Sequence, residues 1–414
     1  MPGSGLIPRF VEARLVEALT DSPAVLIHGP RQCGKTTLAR MVGEQRGYAY
    51  FTFDDETVRG AAEQDPLGFV GDLPERAILD EVQLVPAVFS ALKLTIDRDR
   101  TAGRCILTGS TNIFLLPRLA DSLAGRMATV RLHPLAQCEL LRKPSTFLDR
   151  LFADGFTTAT TKRLGAGLAG RIVAGGYPAA LDRASHARRA AWYRDYLDAI
   201  VQRDVRDLAH ISALDAVPRL LELTAGQTAR LLNVSDLAGP FQLSRPTIRQ
   251  YLTLLERLFL VSELPAWHSN RLKRLVKTPK LHAGDTGLAA ALLGAHAQGL
   301  YADRSLLGQL LETFVYQELR RIASWSPEPV RFSHYRDRDG AEVDIVLESG
   351  RSVAAVEVKA GATVTERDLR ALRGLSAAAG DGWVGGAVLY DGEACVPFGG
   401  GLWAVPVASL WEDV

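Results

Sequence analysis

The sequence has few cysteines and no long hydrophobic run, and both absences exclude classes of protein. Its four cysteines in 414 residues lie far apart and match no metal-binding spacing: Cys33, Cys105, Cys138 and Cys395. A disulfide-stapled secreted domain is therefore excluded, and unpaired thiols in a reducing compartment are expected. No apolar run approaches the roughly 18–20 residues that span a bilayer. The opening MPGSGLIPRF also lacks the basic start and apolar core of a secretory signal, so we expect a cytoplasmic protein without membrane contact.

The charges of the chain nearly cancel. Lysine and arginine number 48 and aspartate and glutamate 47, which gives a net charge of +1. Such a chain does not attract a polyanion as a whole, so a nucleic-acid surface would be a local patch. Hydrophobic residues make up 47% and charged residues 23%, as in ordinary soluble globular proteins. The length predicts roughly two to four domains.

Strand and helix patterns alternate from residue 6 to about residue 133. A helix is predicted over Pro8–Leu19, and a second from about Lys35. The predicted strands are Ala24–His28, Tyr48–Phe53, Arg76–Leu79, Cys105–Leu107 and Ala128–Leu132. Strands separated by helices indicate an α/β domain whose parallel sheet is covered on both faces.

Three further domains are predicted after residue 133. Residues 134–225 show helical spacing with few strands and predict a helical bundle. Residues 226–300 contain a helix, a turn, a second helix and a basic extended stretch, the order of a winged helix-turn-helix. Residues 301–414 predict a separate α/β domain, with a helix followed by strands, a helix and a strand.

Residues 29–36, GPRQCGKT, match G-x-x-x-x-G-K-[ST] between a strand and a helix. Glycines allow backbone N–H groups to point at phosphate oxygens, and the helix N-terminus adds its positive dipole. Lys35 is expected to reach the β- and γ-phosphates of ATP, and Thr36 to ligate Mg²⁺. The predicted nucleotide-binding residues are Gly29, Pro30, Arg31, Gln32, Cys33, Gly34, Lys35, Thr36 and Thr37. Cys33 is interpreted as a variable loop position rather than a redox switch.

Polar groups at other strand ends extend this site. Asp80 and Glu81 follow an apolar strand; Asp80 is expected to hold Mg²⁺ through water and Glu81 to polarise the attacking water. Ser110 and Asn112 end the fourth strand, where they either sense the γ-phosphate or cap the next helix. These residues predict ATP hydrolysis with ATP and Mg²⁺ as cofactors.

Together with Arg126, which precedes the fifth strand, these motifs resemble those of an AAA+ ATPase. In that family an arginine here reaches the nucleotide of a neighbouring subunit, so the resemblance implies catalytic roles for Lys35, Glu81 and Arg126 and a homo-oligomer. The alternative is that Arg126 is a solvent-exposed arginine at the end of a helix, where the helix dipole favours a positive charge. The chain more specifically resembles bacterial and archaeal ATPases that join an AAA+ module and helical lid to a C-terminal domain of unknown function. The matching segments are residues 122–126, 133–135, 175–178, 203–205, 278–280, 284–287 and 340–344.

The predicted winged helix carries residues suited to DNA. Arg245 and Arg249 lie near the start of its second helix, where side chains can touch phosphates and base edges. Five further positive charges follow without an acid: Arg271, Lys273, Arg274, Lys277 and Lys280. Such a patch would bind phosphates in a salt-dependent manner. Winged helices also dock proteins, so a protein partner stays the alternative to DNA.

The last domain carries Glu312, Asp344, Glu357 and Lys359. Glu357 and Lys359 are two residues apart, so both project from one face of a strand. Converging carboxylates are typical of a Mg²⁺ site, and a nearby lysine can stabilise phosphate charge. The arrangement resembles the PD-(D/E)xK nuclease fold, although the proline of that motif is absent. The alternatives are an inert scaffold and a simple Glu357–Lys359 ion pair.

Three functions therefore stay open. The first is an ATPase that acts with nucleic acid, and the second is an ATP-dependent regulator that docks protein and has an inert last domain. The third is a metal-dependent nuclease gated by ATP.

Overall fold

The computed structural model describes residues 6–111, 125–205, 216–269, 278–337 and 339–412. They belong to two compact units, one formed by Met1–Leu135 with Arg257–Phe259 and the other by Ala136–Glu256 with Leu260–Val414. The predicted boundaries within the second unit stay predictions. Predicted site residues that lie outside the described ranges are Asn112, Arg271, Lys273, Arg274 and Lys277. Within the described ranges no helix is long and apolar enough to cross a membrane.

The first unit alternates strands and helices, as predicted. Its helices are α1 Glu12–Asp21, α2 Lys35–Glu44, α3 Glu56–Gln64, α4 Pro66–Gly71 and α5 Ala87–Arg98. Its strands are β1 Ala24–His28, β2 Ala49–Thr52, β3 Ala77–Asp80, β4 Cys105–Gly109 and β5 Met127–Arg131. The five predicted strands are thus confirmed to within about two residues at each end.

The five strands form one parallel sheet in the order β2-β3-β4-β1-β5. The register aligns His28 with Gly109, and Leu79 with Leu107. The carboxyl ends of β3, β4 and β1 therefore lie side by side, although they are far apart in the sequence. This adjacency brings the loop after β1 to the acids at the end of β3.

The core of the first unit explains why the sheet forms. Leu26, Leu79 and Leu107 are fully buried beside Phe89 and Leu92 of α5. Burying side chains of this size stabilises a fold by about 1.5–3 kcal/mol each. The apolar runs that predicted the strands are the ones that supply this core.

One helix boundary was predicted wrongly. The amphipathic pattern predicted a helix from Pro8, but α1 begins at Glu12. The reason is that Arg9 makes a turn, with the N–H of Glu12 donating to its carbonyl oxygen at 2.9 Å, and sends its guanidinium across to the loop after β1. A contact distant in sequence overrides the local pattern.

The second unit contains the remaining elements. Its helices are α6 Gln137–Leu140, α7 Phe147–Asp149, α8 Ala166–Ala174, α9 Pro178–Leu181, α10 His186–Ile200, α11 Ala216–Gly226, α12 Val234–Ala238, α13 Arg245–Arg257, α14 Thr286–Leu292, α15 Ala297–Ala302, α16 Arg304–Ala323 and α17 Glu366–Ala379. Its strands are β6 Ala159–Thr160, β7 Arg230–Leu231, β8 Val261–Leu264, β9 Lys280–Ala283, β10 Arg331–Arg336, β11 Glu342–Ser349, β12 Ser352–Lys359, β13 Trp383–Tyr390, β14 Ala394–Pro397 and β15 Leu402–Pro406.

Two sheets organise these elements. The smaller has the order β7-β9-β8, and helices α11, α12 and α13 precede β8 in the chain. The larger has the order β10-β11-β12-β13-β15-β14-β6 and mixes parallel and antiparallel pairs. Helix α17 packs Leu369 and Leu372 against Val343, Val346 and Val388 of this sheet. Strands β6, β14 and β15 of this sheet were not predicted from the sequence.

A buried ion network connects distant segments of the second unit. Asp285 is fully buried and accepts hydrogen bonds from Arg321 Nη2 at 3.0 Å and from the backbone N–H of Gly176 at 2.9 Å. Arg321 Nη1 lies 2.5 Å from Glu318, which also accepts from the backbone N–H of Gln137 at 2.8 Å. The motif segments at residues 175–178 and 284–287 are therefore connected by one buried network of hydrogen bonds and ion pairs.

We predict that Arg321→Ala destabilises the second unit strongly. The substitution leaves two buried carboxylates without their cation, which costs about 3–5 kcal/mol. Arg373→Ala is the matched control, because its ion pair with Glu366 is exposed and contributes about 0–1 kcal/mol. Urea unfolding followed by circular dichroism measures both, and equal midpoints would contradict the structural role of Arg321.

Candidate functional site

The loop after β1 curls around the position where α2 begins. Gly29 packs so closely on the carbonyl oxygen of Leu132 that any side chain there would collide with it. Gly34 precedes α2 with a φ of 101°, a conformation that residues with side chains rarely adopt. Gly29 is thus required because the backbone of Leu132 lies too close for a side chain. Gly34 is required because its backbone has a positive φ.

Lys35 is the buried cation of this loop. The residue is only 4% exposed, and its ammonium donates a hydrogen bond to the carbonyl oxygen of Pro30 at 2.9 Å. Helix α2 has no acidic residue in its first turn, so the partial positive charge of its N-terminus is not neutralised there. The loop therefore concentrates positive charge and backbone donors on one point, which suits an anion.

Thr36 and Asp80 are joined directly. The Thr36 hydroxyl lies 2.9 Å from Asp80 Oδ1 and 3.1 Å from Oδ2. Tyr50 donates its hydroxyl to Asp80 Oδ2 at 2.8 Å, and Thr108 donates to Oδ1. Burial and this hydrogen bond to Asp80 raise the pKa of Tyr50 to about 12. Two oxygens of the kind that Mg²⁺ prefers thus lie at the mouth of the loop, and the carboxylate is oriented by neighbours on β2 and β4.

Glu81 has a strained backbone and a well-anchored carboxylate. Its φ is 57°, uncommon for a residue with a side chain. Its Oε2 accepts from Ser110 Oγ at 2.7 Å and from the Gln83 amide. Burial would raise the pKa of Glu81, but the charge of Lys35 and these hydrogen bonds outweigh it, so the pKa is below its usual value. Glu81 is consequently ionised at neutral pH and able to accept hydrogen bonds from water.

The predicted loop residues differ in their surroundings. Pro30 and Cys33 are buried, Gln32 and Thr37 are exposed, and Arg31 is half-buried. Burial raises the pKa of the Cys33 thiol, which suppresses the reactive thiolate and agrees with its interpretation as an unreactive position.

Sequence reasoning missed four residues of this site: Arg9, Tyr50, Gln83 and Thr108. Arg9 Nη1 donates to the carbonyl of Cys33 at 2.7 Å and Nη2 to that of His133 at 2.6 Å, which fixes the loop from outside. The other three reach Asp80 or Glu81 from neighbouring strands or from the next turn. The only feature that could have identified these three residues is their position near a strand end. Recognising that feature requires the order of the strands in the sheet, which the sequence does not give.

Arg126 forms an ion pair within its own unit. Its Nε lies 2.7 Å and its Nη2 3.1 Å from the carboxylate of Asp97 on α5. The hydrogen bond from Arg126 lowers the pKa of Asp97. Both side chains are partly exposed, at 23% and 35%. A role toward a neighbouring subunit therefore stays a prediction, and it would require Arg126 to exchange this partner for a phosphate.

The acidic cluster around Glu312 and Asp344 in the second unit is occupied by a lysine. Lys280 Nζ lies 2.9 Å from Glu312, 2.6 Å from Glu342 and 3.1 Å from Asp344. The prediction that Lys280 belongs to an exposed phosphate-binding patch is wrong, because only 2% of the residue is exposed.

The predicted metal site at Glu312, Asp344 and Glu357 is not formed either. Within the described ranges no group of three or more His, Cys, Asp or Glu side chains is arranged to hold a metal ion. Glu357 instead pairs with Lys359 at 2.8 Å, which is the ion pair considered as an alternative. The reason is that Lys280, from a strand far earlier in the chain, takes the place of a cation.

Helix α13 presents a mixed surface. Arg245 and Gln250 are exposed at its N-terminal part, and the hydroxyl of Ser244 accepts from the backbone N–H of Thr247 at 3.2 Å, as expected of a helix cap. Arg249 pairs with Glu263 of β8. Of the two predicted DNA contacts on this helix, Arg245 is therefore exposed, while Arg249 already has a carboxylate partner.

Comparison with family models divides the chain into three matched segments. Residues 21–141 match a family described as an AAA domain. Residues 166–299 match a domain of unknown function, DUF8612, and residues 307–410 match another, DUF4143. The first match covers the sheet and the loop described above.

Two curated relatives align over most of the chain. They are the uncharacterized proteins Mb2031c of Mycobacterium bovis and Rv2008c of Mycobacterium tuberculosis, each 30% identical over 406 residues, which is 97% of this chain and 84% of the relative. Solved structures align weakly. The RuvB Holliday junction branch migration motor of Thermotoga maritima is 17% identical over 62% of this chain and 89% of its own, with a TM-score of 0.27. Protein VC1899 of Vibrio cholerae is 11% identical over 94% of this chain and 95% of its own, with a TM-score of 0.21. These low TM-scores support no inference.

Proposed function

The chain belongs to the family of the two mycobacterial proteins, and from its AAA domain and the geometry of its phosphate loop we propose that it binds ATP with Mg²⁺ and hydrolyses the nucleotide. The observation that carries the proposal is the contact of Thr36 with Asp80 beside the buried Lys35. A lysine, a hydroxyl and a carboxylate at one loop mouth are what a magnesium–triphosphate needs.

The residues present fit these groups. Gly29 and Gly34 allow the loop to curl tightly, Gly29 through its close approach to Leu132 and Gly34 through its positive φ, and the free N–H groups at the start of α2 lie at this loop. Lys35 would hold the β- and γ-phosphates, and Thr36 with Asp80 would hold Mg²⁺. Bound Mg²⁺ supplies neutralisation of the charge that develops on the transferred phosphoryl group.

Glu81 is the candidate for activating water. Ser110 and Gln83 hold its carboxylate, and its lowered pKa keeps it ionised, so it can orient a water molecule and accept its proton. Because Ser110 contacts Glu81 directly, it can also transmit the state of the γ-phosphate to that carboxylate.

We predict that Lys35→Ala and Glu81→Gln separate binding from hydrolysis. Lys35→Ala should weaken ATP binding by about tenfold to a hundredfold or more, because hydrogen bonds to charged groups contribute about 1.5–3 kcal/mol. Glu81→Gln should bind ATP normally and hydrolyse it at least about tenfold more slowly, since it loses a positioned base. Calorimetry with ATP and Mg²⁺, together with phosphate release, measures both.

The matched control is Lys162→Ala, which removes an exposed lysine of the second unit and should change neither quantity. Normal turnover in Glu81→Gln would exclude its role as the base. Unchanged ATP affinity in Lys35→Ala would overturn the proposed function itself.

Arg126 and a homo-oligomer belong to the same proposal. Arg126→Ala should keep ATP binding and lower turnover by about tenfold or more, because it would remove a cation from a neighbour's transition state. Asp97→Asn is the matched variant: it removes the partner of Arg126 but keeps the arginine, so turnover should not fall. Equal losses in both variants would indicate a structural ion pair. Recovery of turnover on mixing Arg126→Ala with Lys35→Ala subunits would indicate action between subunits.

We also propose that the α11–α13 segment with the sheet β7-β9-β8 is a winged helix that contacts duplex DNA. Its order of helices and strands and the exposed Arg245 and Gln250 on α13 support this proposal. A protein partner for the same surface is the competing proposal.

Arg245→Ala should weaken DNA binding and reduce the slope of log affinity against log salt by about one, the expectation for one lost phosphate contact. Fluorescence anisotropy at several salt concentrations measures the slope. Arg370→Ala, an exposed arginine of α17, is the control and should change little. The absence of salt-dependent DNA binding in the unmodified protein would favour a protein partner.

A further inference from the structure

Phe259 ends helix α13 in a backbone conformation that seldom suits a large side chain. It lies just beyond the last residue of the helix and has a φ of 61°, in the left-handed region. The backbone N–H of Leu260 donates to the carbonyl oxygen of Leu255 at 2.9 Å, a helix-end hydrogen bond that usually has glycine at the position of Phe259. A bulky residue in this conformation is strained, and such strain persists only where other contacts require the residue. The contacts of the Phe259 ring therefore have to outweigh the strain of its backbone.

The ring of Phe259 is buried in the first unit. Arg257–Phe259 belong to that unit, although the chain before and after them belongs to the second. Phe259 is only 5% exposed, and its ring centroid lies 6.0 Å from that of His28 and 5.1 Å from Cζ of Arg131. A guanidinium at this distance over an aromatic face makes a favourable cation–π contact. The ring thus contacts the last residue of β1 and the last residue of β5.

The two residues that Phe259 contacts lie where the phosphate loop begins. His28 and Arg131 are aligned in neighbouring strands, and the carbonyl oxygen of His28 accepts from the backbone N–H of Leu132 at 2.8 Å. Gly29, the first residue of the loop, packs against the carbonyl oxygen of Leu132. The path of the loop therefore depends on how the carboxyl ends of β1 and β5 are held.

We propose that Phe259 is a positioning residue of the nucleotide site, whose ring fixes the carboxyl ends of β1 and β5 and thereby holds the phosphate loop in the conformation that binds ATP. This inference rests on the proposed function. Phe259 acts through His28 and Arg131 rather than on the nucleotide itself. Because Phe259 directly follows α13, the conformation of that helix end is transmitted to the phosphate loop.

The test compares Phe259→Gly with wild type in ATP affinity, KM and kcat in the presence of Mg²⁺. Glycine suits the left-handed backbone, so the variant relieves the strain and removes the ring. A residue that only ended the helix could be replaced in this way without an effect on ATP. We expect ATP affinity to fall and KM to rise by about threefold to tenfold, the scale of a lost cation–π contact. The kcat should change by less than about twofold, because Ser110 and Gln83 still hold the carboxylate of Glu81.

The matched control is Phe156→Ala in the second unit. Phe156 is 7% exposed, and its ring contacts those of Phe147 and Trp403. The control removes a similarly buried ring and lowers stability in a comparable way, but it should leave ATP affinity at the wild-type value.

Wild-type ATP affinity in folded Phe259→Gly would overturn the inference, and so would an equal loss of affinity in Phe156→Ala. Should Phe259→Gly not fold, Phe259→Leu is measured instead, because it keeps an apolar side chain without the ring. Weakened ATP affinity with kcat retained in that variant supports the inference, and unchanged affinity overturns it. If the wild-type protein itself did not bind ATP, the proposed function would be wrong, and this inference with it.

Discussion

A cation that is buried in a protein must find a partner that replaces water, and the identity of that partner decides what the surrounding residues can do. Within the described part of the chain, three lysine or arginine side chains are buried: Lys35, Lys280 and Arg321. Arg321 and Lys280 contact carboxylates that neutralise them. Lys35 instead donates its hydrogen bond to a neutral backbone carbonyl; its charge acts on the nearby Glu81 and stays available to an anion.

This difference follows from where each residue lies in its fold. Lys35 is the first residue of a helix at the carboxyl edge of a parallel sheet, where backbone N–H groups add to its positive charge. Lys280 begins a central strand and contacts acids of α16 and β11, whereas Arg321 contacts Glu318 of its own helix and the buried Asp285. The need of a buried cation for a partner thus leaves a site suited to an anion in the first unit. In the second unit it results in buried ion pairs with carboxylates.

The sequence predicts what is local. The loop at Gly29–Thr36 is contiguous, so its spacing alone indicates a phosphate-binding turn, and the apolar runs around it predict the strands. Tyr50 and Thr108 escaped prediction because they reach Asp80 only through the order β2-β3-β4, which no local pattern encodes. Lys280 was misinterpreted for a related reason. It follows four positive residues in the sequence, and only the three-dimensional fold shows that Glu312 and Asp344 surround it.

The charge balance of the acidic cluster around Lys280 follows from the same electrostatics. A divalent cation would bring two positive charges to the cluster, whereas Lys280 brings one. Burial, together with Asp344, raises the pKa of Glu312 well above its ordinary value, so this carboxyl retains its proton far more readily than an exposed glutamate. The Lys280 ammonium is thus the cation of this cluster, and the raised pKa of Glu312 lessens the negative charge that the ammonium must balance.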